Sequence, residues 1–322
     1  MNIRMWTAVV SLAFLAGCGT QGALLGSDGN YVFIVQDALT TPGEPARLSA
    51  RLEEGDLLQG RAGWVIRFHR ESGLFKASST DEDGSATVLY TPDAPGRTRF
   101  VASVSPMGLE NSPPEPRSFT VYTKPPDTPI VLCDLDRTVV ATGFETVLMG
   151  NPKPMEDSAK VLHRMAENHQ VVYLTHRPDY FSRKSRTWLW ENDFPRGPVL
   201  PASVSGFLSG SGTYKTKAIR RMQQQFTNIQ VGVGDKVSDA LAYHETGLRS
   251  FLIVQPPEGD QPEPYRELAE KLSALPEAVE VVTNWQQVRR AFFQGKHYPP
   301  GDLIKELQRQ ASRLNGDKEP TQ

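Results

Sequence analysis

Residues 130–138 read Ile130-Val131-Leu132-Cys133-Asp134-Leu135-Asp136-Arg137-Thr138: four apolar residues, two acids flanking a leucine, a base and a hydroxyl. An apolar run this short reads as a strand buried on both faces, the habit of strands in a parallel sheet. Comparable runs recur at 171–174, 229–233, 251–254 and 279–282. They alternate with helical patterns near 156–168, 180–191, 214–226, 237–246, 263–275 and 284–294. This alternation predicts an α/β domain over 130–296, a Rossmann-like parallel sheet with helices on both faces. In such sheets ligands bind beyond the carboxyl ends of the strands, so the residues that follow each run are the first candidates for a site. A C-terminal stretch, 297–322, carries Leu303, Leu307, Ala311 and Leu314 at helical spacing, which predicts a helix packed on the domain.

Upstream, Lys124-Pro125-Pro126-Asp127-Thr128-Pro129 reads as a stiff extended linker over 124–129. Before it, residues 30–123 carry only strand and turn patterns, at 31–35, 46–52, 64–69, 75–80, 86–90, 98–104 and 118–122. Short strands at this spacing predict an all-β sandwich. Thr80-Asp81-Glu82-Asp83-Gly84 and Ala94-Pro95-Gly96-Arg97 resemble turns of bacterial immunoglobulin-like modules, and His69 reads as an ordinary strand residue. At the N-terminus, Arg4 followed by an apolar stretch predicts a signal peptide over 1–17. Leu15-Ala16-Gly17-Cys18 is similar to the lipobox of bacterial lipoproteins. That resemblance implies lipidation of Cys18, a tether over 18–29, and a membrane as partner. Gly19 after the cysteine implies the cell envelope, at the periplasmic face of the outer membrane. The second of the two cysteines, Cys133, lies inside an apolar strand and is expected in the core. With 35 basic and 37 acidic residues and no run of either sign, the chain lacks the electrostatic footprint of nucleic-acid binding.

The strand ends gather a particular chemistry. Asp134 and Asp136 follow the first run, Thr175-His176-Arg177 the second, and Asp235 through Asp239 the third, while Lys215 and Lys217 open the helix between. Cleaving a phosphate ester needs an in-line nucleophile, a proton for the leaving oxygen and positive charge around the equatorial oxygens. Asp134 can attack, and Asp136 can hand a proton to the leaving alcohol and later activate water. Carboxylates beside a phosphate repel it, so a hard cation such as Mg²⁺ is needed, with Asp235 as a further acid for it. Thr175 offers a hydroxyl and Lys215 a point charge for phosphate oxygens.

Together these residues resemble the haloacid dehalogenase superfamily of phosphatases, whose first motif is an apolar strand followed by D-x-D-x-T. The resemblance implies Asp134 as nucleophile and metal ligand, and Asp136 as acid/base with its carbonyl on the metal. It further implies Thr175 and Lys215 as phosphate contacts, Asp235 as an acidic ligand, and Asp239 in support of the metal or the lysine. His176 and Arg177 are candidates for the substrate side. Arg137 stands where the family commonly has Gly. Tyr173-Leu174-Thr175-His176-Arg177-Pro178, Tyr214-Lys215 and Asp239-Ala240-Leu241-Ala242-Tyr243 are similar to segments of lipin-type phosphatidate phosphatases. About forty residues separate Asp134 from Thr175 and Thr175 from Lys215, which leaves no room for a large cap; the insert is 139–155. The expectation is a Mg²⁺-dependent phosphomonoesterase with a lipid phosphate such as phosphatidate as substrate. Two alternatives stand beside it: a phosphatase for soluble phosphates or phosphoproteins, and a non-enzymatic envelope binding lipoprotein.

Overall fold

The structure is a computed structural model and describes residues 31–55, 57–143 and 150–315. The signal segment 1–17, the tether 18–29 with Cys18, part of the 139–155 insert (144–149) and the tail 316–322 lie outside the described residues. The chain divides into two compact units. One runs through Lys124 and also takes in Pro178–Thr187; the other comprises Pro125–Arg177 and the chain from Trp188 onward.

The first unit is built from β1 (Tyr31–Val35), β2 (Ala38–Thr40), β3 (Ala46–Glu54), β4 (Gln59–Gly60), β5 (Val65–Arg70), β6 (Gly73–Ser79), β7 (Ser85–Tyr90), β8 (Gly96–Val104) and β9 (Arg117–Thr123). One sheet has the order β1-β3-β4 with β7 also on β3; the other runs β2-β9-β8-β5-β6. Alternate residues of the strands point between the sheets, so Phe33, Leu48, Leu52, Trp64, Ile66, Phe68, Phe100 and Phe119 form one core. Phe100 and Phe119 stack at 5.6 Å. His69 sits on β5 beside the Ser103 hydroxyl, 3.1 Å away, as a strand residue. The two strands the sequence reading lacks, β2 and β4, are too short to show a period of two.

The second unit contains β10 (Ile130–Cys133), α1 (Ser158–Ala166), β11 (Gln170–Pro178), β12 (Val199–Ala202), α3 (Val204–Leu208), α4 (Ser211–Gln223), β13 (Ile229–Gly234), α5 (Val237–Glu245), β14 (Arg249–Ile253), α6 (Glu263–Ser273), β15 (Glu280–Val282), α7 (Trp285–Gln294) and α8 (Pro300–Leu314). Helix α2 (Ser182–Glu191) starts in the first unit and ends in the second. The sheet order is β12-β11-β10-β13-β14-β15, and β10 pairs in parallel with both β11 and β13. Successive residues of a strand feed opposite faces: Phe251 and Ile253 join the core that holds Val131, Cys133, Trp188 and Trp285, whereas Leu252 joins the core of Tyr265, Leu272, Leu303 and Leu307. Two apolar cores on one sheet are what a layer of helices on each face produces. Strand β12 was not foreseen because Pro201 interrupts its run; as the edge strand it tolerates a residue that cannot donate to the ladder. Leu303, Leu307 and Ala311 of α8 are buried at intervals of one turn. Among the described residues no helix is long and apolar enough to cross a membrane.

Candidate active site

Asp134 is the first residue past β10, and its N–H still donates to Val233 O of β13 at 2.9 Å, which locks it beside the end of that strand. There β13 closes on Gly234, and Asp235 follows. Lys215 stands in the second turn of α4, and Asp239 in the first turn of α5. Those helices approach closely at Gly212, where a Cβ would lie 3.0 Å from the Ser238 carbonyl oxygen. The approach lets the Ser211 hydroxyl donate to Asp239 Oδ1 at 2.5 Å. It also sets Lys215 Nζ 2.6 Å from Asp239 Oδ2 and 3.0 Å from Asp134 Oδ2, with the side chain 0% exposed. Two glycines of β13 make the space. A Cβ on Gly232 would lie 2.2 Å from the Tyr243 ring, and one on Gly234 would lie 2.9 Å from Asp239 Cβ. Tyr243 in turn presents its ring 5.7 Å from Lys215 Nζ.

The charges do not balance. Burial alone would neutralise Lys215, but Asp134 and Asp239 outweigh it and hold the ammonium well above the ordinary lysine range. Burial likewise opposes ionisation of Asp134, and the Lys215 ammonium beside it keeps that carboxyl below its usual range. Asp235 is pushed up to about 7 by burial and by the like charges of Asp134 and Asp239. Asp239 is raised by burial against the pull of Lys215. One ammonium thus faces three carboxyls, whose oxygens lie within 4.8 Å of one another. Asp134 Oδ1 and Asp235 Oδ1 are buried and accept no hydrogen bond. Buried carboxylate oxygens without partners are costly, and a hard divalent cation with oxygen ligands would satisfy them. The donor set therefore fits such an ion, with Asp134, Asp235 and Asp239 as the side chains that would hold it.

Asp136 is not in that group. Arg177 takes its carboxylate by a fork, Nε to Oδ2 at 3.0 Å and Nη2 to Oδ1 at 2.7 Å, so the side chain is held by the guanidinium and is not one of the three clustered acids. The same fork gives Arg177 a carboxylate partner where the sequence suggested an anionic substrate group. Thr175 is buried in β11 three residues before its end, its hydroxyl accepting the Arg177 N–H at 3.3 Å. His176 stacks on Phe207 of α3 at 5.0 Å, and burial with the nearby Lys236 charge lowers its basicity. Lys217 is exposed, unlike Lys215. Arg137 keeps the turn that glycine would favour by adopting φ 52°. Sequence reasoning passed over Ser211 and Lys236. Lys236 directly follows Asp235 and adds positive potential at Asp134, Asp235 and His176, a signal its position in the loop could have given.

Comparisons with known proteins add one family match and several weak structural likenesses. Residues 131–253, from the first motif to the end of β14, match the family model described as PITM 1-3, LNS2 domain. A search of curated proteins returns no match. Solved structures similar to the chain include the CARDB domain of a Pyrococcus furiosus protein in complex with di-metal ions. It is 16% identical, covers 30% of this chain and 90% of its own, and has a TM-score of 0.24. The D00-D0 domain of intimin is 20% identical over 30% of this chain and 48% of its own, TM-score 0.23. A conjugative transposon lipoprotein from Bacteroides eggerthii is 13% identical over 29% and 93%, TM-score 0.19. Scores this low decide nothing about activity.

Proposed function

We propose that the α/β unit is a Mg²⁺-dependent phosphatase of the haloacid dehalogenase type, hydrolysing phosphomonoesters through an aspartyl-phosphate on Asp134. The observation that carries this reading is the buried Lys215 ammonium between Asp134 and Asp239, with unpartnered carboxylate oxygens on Asp134 and Asp235 beside it. The LNS2 match over 131–253 supports a lipin-like phosphatase at the same residues. Bound Mg²⁺ would supply positive charge against the phosphate and the carboxylates. Asp134, kept ionised by Lys215, attacks phosphorus as the bond to the ester oxygen breaks. Asp136 gives that oxygen its proton, then takes one from the water that attacks the phosphoenzyme and releases phosphate. Before doing so it must leave Arg177 and take up a proton from solvent, and the phosphate dianion competes for the same guanidinium. Thr175 and Lys215 hold equatorial oxygens.

A lipid phosphate such as phosphatidate is the preferred substrate in this reading, since a lipid anchor on Cys18 would keep the chain at the periplasmic face of the outer membrane. The test compares phosphate release from micellar phosphatidate and from soluble esters, with Mg²⁺ or EDTA. Wild type should turn over in Mg²⁺ alone, and Asp134→Asn should lose at least about a thousandfold. Equal rates for the two proteins, or faster turnover of the soluble esters, would remove the mechanism or the substrate respectively. The grip of Arg177 on Asp136 favours one other reading, a site that binds a phosphorylated ligand without cleaving it. Mg²⁺-dependent phosphatidate binding with no phosphate release would decide for it.

A further inference from the structure

The chain leaves the α/β unit after Arg177 and returns at Trp188, and the residues between fold with the β-sandwich. Their polar contacts fall on Arg51 and Glu53 of β3 and on Gln36 and Asp37 just past β1. The register pairs Val32 with Glu53 and Ile34 with Arg51, which puts these four side chains on the face opposite Phe33 and Leu52 of the sandwich core. A solvated sandwich face would leave them wet, yet Val32, Ile34 and Glu53 are 4%, 6% and 6% exposed.

The polar contacts there are specific. Arg51 Nη1 and Nη2 donate to Asp179 Oδ2 and Oδ1, both at 2.8 Å, and Arg51 Nε lies 2.9 Å from Glu53 Oε1. Gln36 donates to Asp179 at 3.0 Å, and the Tyr180 hydroxyl donates to Glu53 at 3.1 Å. At the far end Arg186 donates to Asp37 at 2.9 Å. Asp179 is 1% exposed and gripped at both oxygens, which fixes its orientation as well as its place. It follows Arg177 by two residues, through Pro178, whose locked φ of −57° leaves little slack.

We propose that Arg51 and Asp179 are positioning residues for the candidate active site. By clamping the chain just past β11, the Arg51–Asp179 pair fixes the last residues of the strand, from Thr175 to Arg177, and so holds the Arg177 guanidinium where an incoming phosphate can take it from Asp136. This rests on the phosphatase reading for its kinetic consequence only.

The test uses the full chain as wild type, Arg51→Met, Arg51→Lys, Asp179→Asn and the Arg51→Met/Asp179→Asn pair. It measures kcat and KM for phosphate release and amide hydrogen exchange over 174–177. Arg51→Met and Asp179→Asn should each lower kcat by about tenfold or more with KM within about twofold, as misplacement of reacting groups does. The pair should lose no more than the worse single variant, because both break one contact. Arg51→Lys, which keeps the charge without the fork, should recover part of the loss. Exchange over 174–177 should quicken by about tenfold in Arg51→Met and Asp179→Asn while the core strands β3 and β10 stay protected. Unchanged kcat, or unchanged exchange over 174–177, overturns the proposal, as does uniform loss of protection. If the wild type releases no phosphate, the phosphatase reading fails and exchange alone decides the positioning role; Asp179→Asn and Arg51→Lys serve where Arg51→Met does not fold.

Discussion

Arg137 occupies left-handed backbone at φ 52° with its side chain exposed, at the position where the resembling family commonly carries glycine. The turn from Asp136 to Thr138 demands that conformation whichever residue fills it, and an L side chain there costs about 1 kcal/mol. Arg137→Gly should therefore raise the unfolding free energy by about 0.5 kcal/mol, the gain being trimmed by glycine's freer unfolded chain. Urea denaturation measures it, and a loss of stability would mean the arginine makes a contact that the turn needs. Lys215 is the opposite case. Lys215→Met keeps the shape but strands Asp134 and Asp239 in the interior without their counter-charge, a loss of about 3–5 kcal/mol. Thermal unfolding should show it at neutral pH, with phosphate release abolished as well. Asp134, Asp235 and Lys215 were legible in the sequence because each is a chemistry-bearing residue where an apolar run ends or a helix begins. The Arg177–Asp136 fork was not, because it depends on the path of the chain beyond β11, which no spacing reveals.

Strand β13 gives the clearest test at the level of elements. Gly232 has no side chain because the Tyr243 ring fills that space, so Gly232→Ala must push α5 away from the sheet and carry Asp239 from Lys215. Overpacking of this kind costs about 1–3 kcal/mol, and a Tyr243→Ala partner should relieve the clash while opening a cavity of its own. Chemical denaturation of the three variants reads the coupling; a Gly232→Ala protein as stable as wild type would mean the helix shifts freely. The strands of both units with long apolar or alternating runs could be read from sequence, since burial dictates their composition. Short β2 and β4, the proline-bearing β12 and the single-turn α3 could not, because two to five residues carry no usable period. The pattern near 180–191 showed that a helix forms there. It did not show that residues up to Thr187 fold with the β-sandwich, since periodicity marks a buried face without naming what buries it.

For the molecule as a whole the site makes stability depend on pH and on metal together. Asp235, pushed up to about 7, and Asp239, also raised, hold protons in the folded state that the unfolded chain gives up near pH 4. Between about pH 4 and about 7 the folded state binds more protons at Asp235, so in EDTA that group makes the protein less stable as pH rises through this range, and Asp239 acts in the same direction. Asp134 works in reverse, but only below that window, since its carboxyl is depressed and its contribution is lost as pH falls through its folded value. His176, lowered by burial, also opposes the trend, adding stability as pH rises through the range where the unfolded ring sheds its proton, near 6.5. Lys215 contributes nothing to the slope until alkaline pH, because its ammonium is held in both states below 10.5. A divalent cation binds the ionised carboxylates and displaces those protons, so Mg²⁺ should raise the melting temperature of the α/β unit far more at pH 8 than at pH 5.5. Replacing Asp235 by Asn should flatten the pH dependence in EDTA and remove most of the Mg²⁺ effect. Calorimetry across pH, with and without Mg²⁺, checks both, and a Mg²⁺ shift equal at the two pH values would show that these carboxylates do not hold the ion.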